Sequence, residues 1–127
     1  MIRLKDFVFG VACGGLAAFA LAESTPNLDP VVVSPQLYTV RLDNDRVRVL
    51  EYRLKPGGKE ALHTHRAGVV ISVGDATVNT TAADGTVSSH PSHAGDVFWR
   101  DAVTHSVENV GATEAHYYSV ELKDTGH

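Results

Sequence analysis

The sequence predicts an all-β domain that folds as a sandwich or a barrel. Between residues 37 and 122, nine short runs rich in β-branched and aromatic residues follow one another, separated by turn residues. The sequence shows no convincing 3.6-residue apolar period of the kind that marks an amphipathic helix. It also shows no internal repeat, and 127 residues suit a single domain of about 100–200 residues.

Turn signals separate the predicted strands. Asp43-Asn44-Asp45 and Pro56-Gly57-Gly58 end the first two runs, Asp84-Gly85 predicts a hairpin, and Gly95-Asp96 precedes a later run. The predicted strands cover residues 37–42, 47–54, 60–64, 69–73, 76–81, 86–89, 97–99, 104–110 and 115–122.

Two strands carry a pattern that predicts which side chains face the core. In residues 47–54 the apolar phase slips between Val49 and Leu50, which indicates a β-bulge because a shift of one residue exchanges the two faces. In the last strand, one face is predicted to be core-facing and would direct His116 and Tyr118 inward. Its members are His116, Tyr118, Val120 and Leu122.

Residues 1–22 have the pattern of a secretory signal peptide. Arg3 and Lys5 give a positive start, residues 7–22 are apolar or small, and Ala20-Leu21-Ala22 forms the small-x-small end. A membrane anchor needs about 20 apolar residues, and a lipoprotein cysteine at Cys13 would follow too short an apolar stretch. We therefore expect an exported protein, periplasmic or secreted, with no stable membrane span after cleavage.

Residues 23–36 are expected to form an extended arm. Pro26, Pro30 and Pro35 fall within this short segment, and proline is unfavourable inside a helix. The arm is then either a loose tether or an edge strand laid on a neighbouring surface.

Charge and cysteine content exclude several classes of protein. Lys+Arg total 11 against 15 for Asp+Glu, with no basic run, which excludes a basic nucleic-acid-binding protein. A single cysteine excludes a disulfide scaffold and multi-cysteine metal motifs. That cysteine lies in the predicted signal peptide, and a cysteine-free product suits an oxidising compartment.

The pair His63 and His65 is the strongest candidate for a metal site. Residues i and i+2 of a strand point to the same face, about 6.5 Å apart along the chain. Two imidazoles at this spacing can lean together and bind one metal ion at roughly 2.0–2.1 Å. Two surface histidines with one residue between them are the alternative interpretation.

The flanking residues give this pair a family resemblance. Gly57, five residues and then His63-Thr64-His65 resemble the first half of the first cupin motif. Gly95, with His105 ten residues later and then Asn109, resembles the second cupin motif. The resemblance implies a small RmlC-like jelly-roll β-barrel over residues 37–123, followed by a tail at 124–127. It also implies His63, His65 and His105 as ligands of a divalent metal ion (iron, manganese or zinc), and a homodimer, as is common for small cupins.

The first motif departs from the family pattern at its carboxylate. The glutamate expected four or five residues after the second histidine is replaced by Val69 or Val70. Glu60 and Glu108 each lie three residues from a ligand histidine, so the alternation of a strand predicts that they point away. We therefore expect no carboxylate beside the histidines.

The resemblance implies an apolar pocket inside the barrel, called the cup below. Three functions are open for it, and each involves a small-molecule ligand or substrate. A three-histidine iron(II) site would support a dioxygenase-like reaction on a small organic substrate, and a three-histidine zinc site would support hydrolysis. A cup with a weakened or lost metal site would be a non-catalytic module that binds or senses a small ligand. A purely structural, dimerising domain is a further alternative.

Several other residues are assigned provisional places. The expected pocket lining comprises Val70, His116, Tyr118 and Arg66, with Arg66 at the rim. Phe98 and Trp99 are expected to anchor the core, since such a pair buries a large apolar area. His90 and His93 are expected in a solvent loop.

Overall fold

A computed structural model describes residues 24–124. The predicted signal peptide at residues 1–22, the first residue of the arm and residues 125–127 of the tail lie outside this part of the chain. Within it, no helix is long and apolar enough to cross a membrane.

The described residues form nine strands, as the sequence predicts, preceded by two short helical turns. The turns are α1 (Pro30–Val33) and a 3₁₀ turn (Pro35–Leu37). The strands are β1 (Tyr38–Asp43), β2 (Val47–Leu54), β3 (Lys59–His65), β4 (Gly68–Ser72), β5 (Ala76–Ala82), β6 (Val87–Ser92), β7 (Val97–Arg100), β8 (Val103–Asn109) and β9 (Ala115–Leu122).

Two antiparallel sheets face each other in a jelly roll. One has the strand order β1-β2-β9-β4-β7 and the other β3-β8-β5-β6. Their inner faces bury a compact apolar cluster, because side chains alternate between the two faces of each strand. The cluster consists of Tyr52, Leu54, Val70, Ala76, Val78, Ala115 and Tyr117.

The prediction of an extended arm was wrong for its second half. Pro30 and Pro35 each begin a helical turn, a position where the missing N–H of proline costs nothing and its fixed φ is favourable. The Asp29 carboxylate caps α1 by accepting the N–H of Val31 at 2.9 Å. The arm also covers the edge of β3, because the Leu28 carbonyl accepts the N–H of Thr64 at 2.8 Å.

The predicted core face of β9 was also wrong, by one residue. Ala115, Tyr117, Ser119 and Glu121 are buried between the sheets, whereas His116 and Tyr118 lie on the outer face. The inner face includes a serine and a glutamate, so hydrophobicity alone selected the opposite phase.

Two smaller expectations need correction. The β2–β9 register is continuous, and the bulge lies instead in β1, where Val40 pairs with Leu50 but Leu42 pairs with Val49. Phe98 and Trp99 do not anchor the core, because they are 43% and 55% exposed on β7, an edge strand.

Gly68 allows the close approach of β4 to β9. A Cβ atom at this position would lie 1.9 Å from the carbonyl oxygen of Val120, a backbone atom with little freedom to move. Gly74, shortly after β4, has no atom within 4 Å of the equivalent position.

We expect Gly68→Ala to lower the free energy of unfolding by about 2–3 kcal/mol, since β4 has to shift away from β9. Gly74→Ala is the matched control and should change it by less than about 0.5 kcal/mol. Urea denaturation followed by circular dichroism measures both. Equal stability of the two variants would contradict the close approach.

Candidate metal site

Three histidines converge at the inner end of the cup between the two sheets. His63 and His65 lie on the inner face of β3, and His105 of β8 is the direct register partner of His63. All three side chains are buried, and one nitrogen of each lies within 4.8 Å of those of the other two. Three nitrogens that bind one metal ion tetrahedrally at 2.0–2.1 Å lie about 3.4 Å apart, so the widest pair has to close by about 1.4 Å to make the set a ligand triad.

Burial keeps these imidazoles neutral. Loss of solvent lowers the pKa of His63 to about 4 and that of His105 to about 3, and it also lowers the pKa of His65. A neutral imidazole has a lone pair to offer a metal ion, whereas a protonated one has none. At pH 7 the three rings are therefore in the form that binds metal.

Hydrogen bonds at Nδ1 direct the other nitrogen of two rings into the cup. Nδ1 of His63 donates to the carbonyl of Ala61 at 2.7 Å, and Nδ1 of His65 donates to Oε2 of Glu121 at 2.7 Å. Such bonds fix the tautomer and orientation of metal-binding histidines. Nε2 of His63 is buried and has no hydrogen-bond partner among the described residues, an arrangement that a metal ion would satisfy.

The expectation that no carboxylate lies beside the histidines was wrong, because Glu121 contacts His65 and Glu60 contacts His63. Glu60 pairs with Val107 while His63 pairs with His105, so β3 has one extra residue between these positions. This bulge returns Glu60 to the face of His63. Its Oε2 lies 3.2 Å from Nδ1 of His63, and its Oε1 accepts the Tyr38 hydroxyl at 3.2 Å.

Glu60 differs in ionisation from Glu121, the second buried carboxylate. Burial raises the pKa of Glu60 to about 7, so this group is only partly ionised at neutral pH. Burial opposes the ionisation of Glu121 as well, but His65 and Arg48 outweigh it and hold the pKa of Glu121 below its usual value. Arg48 donates to Oε1 of Glu121 at 3.0 Å.

The histidines open into a cavity of about 670 Å³ with largely apolar walls. This volume lies within the usual range for small-molecule sites, about 300–1,000 Å³. The wall residues are Tyr52, Val70, Val78, Val107 and Tyr117, with Phe98 and Trp99 also in the lining. Of the two candidate replacements for the family glutamate, Val70 faces this cavity, is 4% exposed and contributes no charge.

Three of the four provisional lining residues lie elsewhere. His116 is on the outer face of β9, where its Nε2 lies 2.6 Å from Oε2 of Glu51, and Tyr118 lies beside it with ring centroids 5.8 Å apart. Arg66 is exposed between β3 and β4 and is absent from the cavity lining. Only Val70 of this group lines the cavity.

The loop histidines are placed differently from each other. His90 lies in β6, where its Nε2 is 3.1 Å from the hydroxyl of Thr80, and it lines the cavity. His93 follows β6 with 81% of its side chain exposed, as expected for a solvent loop.

Arg100 is a further site residue that the sequence analysis missed. Its guanidinium lines the cavity, and Nη2 donates to the Ser119 hydroxyl at 2.7 Å. The position directly after Phe98-Trp99 gave no signal for this role, since the aromatic pair was itself assigned to the core.

Known proteins share this architecture. No family model matches the chain. Beta-alanine degradation protein BauB of Pseudomonas aeruginosa is 34% identical over 87 residues, which represent 67% of this chain and 90% of that protein.

Two solved structures extend the comparison. A cupin domain from Bordetella pertussis Tohama I superposes with a TM-score of 0.64 and 27% identity, covering 81% of this chain and all of that one. A double-stranded β-helix protein from Klebsiella pneumoniae has a TM-score of 0.54 and 21% identity, covering 66% and 73% of the two chains, and shows the fold alone. By sequence and by fold, the chain belongs to the cupin family.

Proposed function

We propose that this protein binds one divalent metal ion, iron(II), manganese(II) or zinc(II), through His63, His65 and His105. The observation that carries the proposal is the convergence of three buried, neutral imidazoles, with Nε2 of His63 left without a partner among the described residues. Imidazole nitrogen suits zinc and iron among the divalent metals, and three protein ligands leave further positions on the ion open.

The chain's own groups prepare this site. The Ala61 carbonyl and the Glu121 carboxylate hold the proton of their histidines on Nδ1, so that Nε2 carries the lone pair; Nε2 of His65 lies 3.5 Å from the Tyr38 hydroxyl. Val70, Val78 and Val107 present apolar side chains to the cavity and lower the polarity of its wall. A small organic ligand in the cavity therefore meets the histidines in a medium of low dielectric, where charge interactions are strong.

We further propose that the site acts as an iron-dependent oxygenase on a small organic substrate. Iron(II), when bound, supplies one-electron and oxygen chemistry that amino-acid side chains lack. The relative from Pseudomonas aeruginosa is named for the degradation of a small molecule, beta-alanine, and this supports a small substrate here.

A non-catalytic cupin that binds or senses a small ligand is the second candidate. Val70 favours it, because an apolar side chain stands where the family pattern has a metal-binding glutamate. Oxygen consumption by the iron-loaded protein with candidate substrates separates the two functions.

Export to the periplasm or medium and assembly as a homodimer complete the proposal. Export rests on the signal-peptide pattern of residues 1–22, and the homodimer rests on the fact that small cupins commonly form one. Cell fractionation and light scattering test them.

Protein purified without a metal-affinity tag should contain, or regain on adding metal, about one equivalent of divalent ion per chain. His105→Ala should reduce this to below about 0.1 equivalent, since two histidines hold an ion far more weakly than three. His93→Ala removes an exposed imidazole and should leave the content unchanged. Elemental analysis measures the metal content of the wild type and of both variants. Full occupancy in His105→Ala would refute the site.

Zinc affinity should change by less than about tenfold between pH 7 and pH 5, because protons compete with the metal only near the lowered pKa values of His63 and His105. Three histidines with the ordinary pKa of 6.5 would instead lose roughly 10⁴-fold over this range. Calorimetric titration at pH 7, 6 and 5 distinguishes these outcomes, and a loss near the larger figure would contradict burial of the rings.

Val70→Glu should tighten zinc binding by about tenfold or more, because a carboxylate facing the histidines adds a charged ligand. Val70→Gln has nearly the same shape without the charge and is the matched control. Equal zinc affinity of the two variants would show that position 70 does not reach the metal.

A further inference from the structure

Arg100 is a partly buried cation whose charge is incompletely paired. Its side chain is 19% exposed, and Nη2 lies 3.9 Å from Oε2 of Glu121, which is beyond hydrogen-bond distance. Among the described residues, its one side-chain hydrogen bond is to the neutral Ser119 hydroxyl. Nε of Arg100 is buried without a hydrogen-bond partner among the described residues.

The nearby carboxylate is already engaged by other groups. Glu121 accepts one hydrogen bond from Arg48 at 3.0 Å and one from His65 at 2.7 Å. Asp29, which also faces Arg48, lies 3.0 Å from that guanidinium. Arg100 therefore shares Glu121 with Arg48 and His65, and among residues 24–124 it forms no hydrogen bond with a carboxylate.

The strand register places Arg100 on the same face as Val70 and one diagonal step from it, since the direct partner of Val70 in β7 is Phe98. Arg100 pairs with Gly68 across β7 and β4, and Val70 pairs with Ser119 across β4 and β9. The hydrogen bond from Arg100 to Ser119 draws the guanidinium toward that second pair. The positive group therefore lies next to the position where the family pattern has a carboxylate and this chain has valine.

A metal ion would increase the excess of positive charge in the cavity. Three neutral imidazoles contribute no negative charge, and the nearby carboxylates, Glu121 and the partly ionised Glu60, offset only part of the positive charge of a divalent ion and Arg100. A ligand that enters this cavity is favoured when it carries negative charge at one end and an apolar body that contacts the valine and tyrosine walls.

We propose that the cup binds a small organic carboxylate, with its anionic group between Arg100 and the three histidines and its apolar part against the cavity wall. This inference rests on the proposed metal site and names the class of ligand that the site takes. Arginine suits this role because its planar fork of N–H donors matches a carboxylate. Arg66, the residue expected at the rim, is exposed and takes no part.

The test compares hexanoate with hexanamide, which has nearly the same shape and no charge, by calorimetric titration of the zinc-loaded protein. The wild type should bind hexanoate at least about tenfold more tightly, as expected for charge-assisted hydrogen bonds. Arg100→Gln should reduce this preference by at least about threefold, leaving the part that zinc supplies, and Arg66→Gln, the matched control, should retain it in full. Equal binding of the two probes by the wild type, or an unchanged preference in Arg100→Gln, would overturn the proposal.

A second pair of variants keeps the test decisive if Arg100→Gln does not fold. Val70→Glu places a carboxylate beside Arg100 and should weaken hexanoate binding by about tenfold, while Val70→Gln should weaken it by less than about threefold. Equal hexanoate affinities in these two variants would count against the proposed position of the anion.

The failure of the metal site and the failure of this inference give different results. If the wild type takes up no zinc, the proposed metal site is wrong, and the same titrations of the metal-free protein decide on Arg100 alone. A preference for hexanoate that is lost in Arg100→Gln would then still support the carboxylate site. If zinc binds and the protein takes up neither probe, or does not distinguish them, the metal site stands and the carboxylate inference falls.

Discussion

The antiparallel pairing of β3 with β8 is the constraint on which the site depends. It sets His63 directly opposite His105, and the alternation of β3 brings His65 to the same inner face. The extra residue in β3 before His63 also brings Glu60 to that face. A shift of this register by one residue would direct the imidazoles toward solvent and remove the cluster.

The interior has two parts, the apolar cluster and the cavity beside the histidines, which differ in how well their polar atoms are hydrogen-bonded. The apolar cluster between the sheets is packed in the ordinary way. Four of the five buried polar side-chain atoms that have no hydrogen-bond partner among the described residues belong to residues that line the cavity, namely Tyr52, Glu60, His63 and Arg100. Each such atom costs about 1–3 kcal/mol. The rest of the fold offsets this cost. A concentration of unsatisfied polar atoms in one cavity is typical of a binding site.

The charged groups around the histidines differ in how completely they are paired. Glu121 is ionised and shared between His65 and Arg48, so it orients a ligand histidine while remaining balanced. Arg100 approaches Glu121 only to 3.9 Å, and the nearby Val70 provides no charge. The space between the histidines and the guanidinium of Arg100 therefore favours a negatively charged group.

The amino-acid sequence determined the number and order of the strands, because turn residues and β-branched runs act locally. It also determined the histidine pattern that resembles the cupin motifs. It did not determine the phase of β9, since Ser119 and Glu121 are held between the sheets by hydrogen bonds with Arg100, His65 and Arg48 and reverse the usual relation between hydrophobicity and burial. The short helical turn at Pro30 was missed because proline is excluded only from the interior of a helix, not from its first turn.

Only the tertiary structure decided which charged groups surround the histidines. Glu60 reaches His63 through a bulge that becomes visible when β3 is paired with β8, and Arg100 and Glu121 lie 35 and 56 residues after His65 in the chain. Strand alternation predicts the direction of a side chain within one regular strand. The convergence of distant side chains depends on register between strands, which is a property of the assembled sheets.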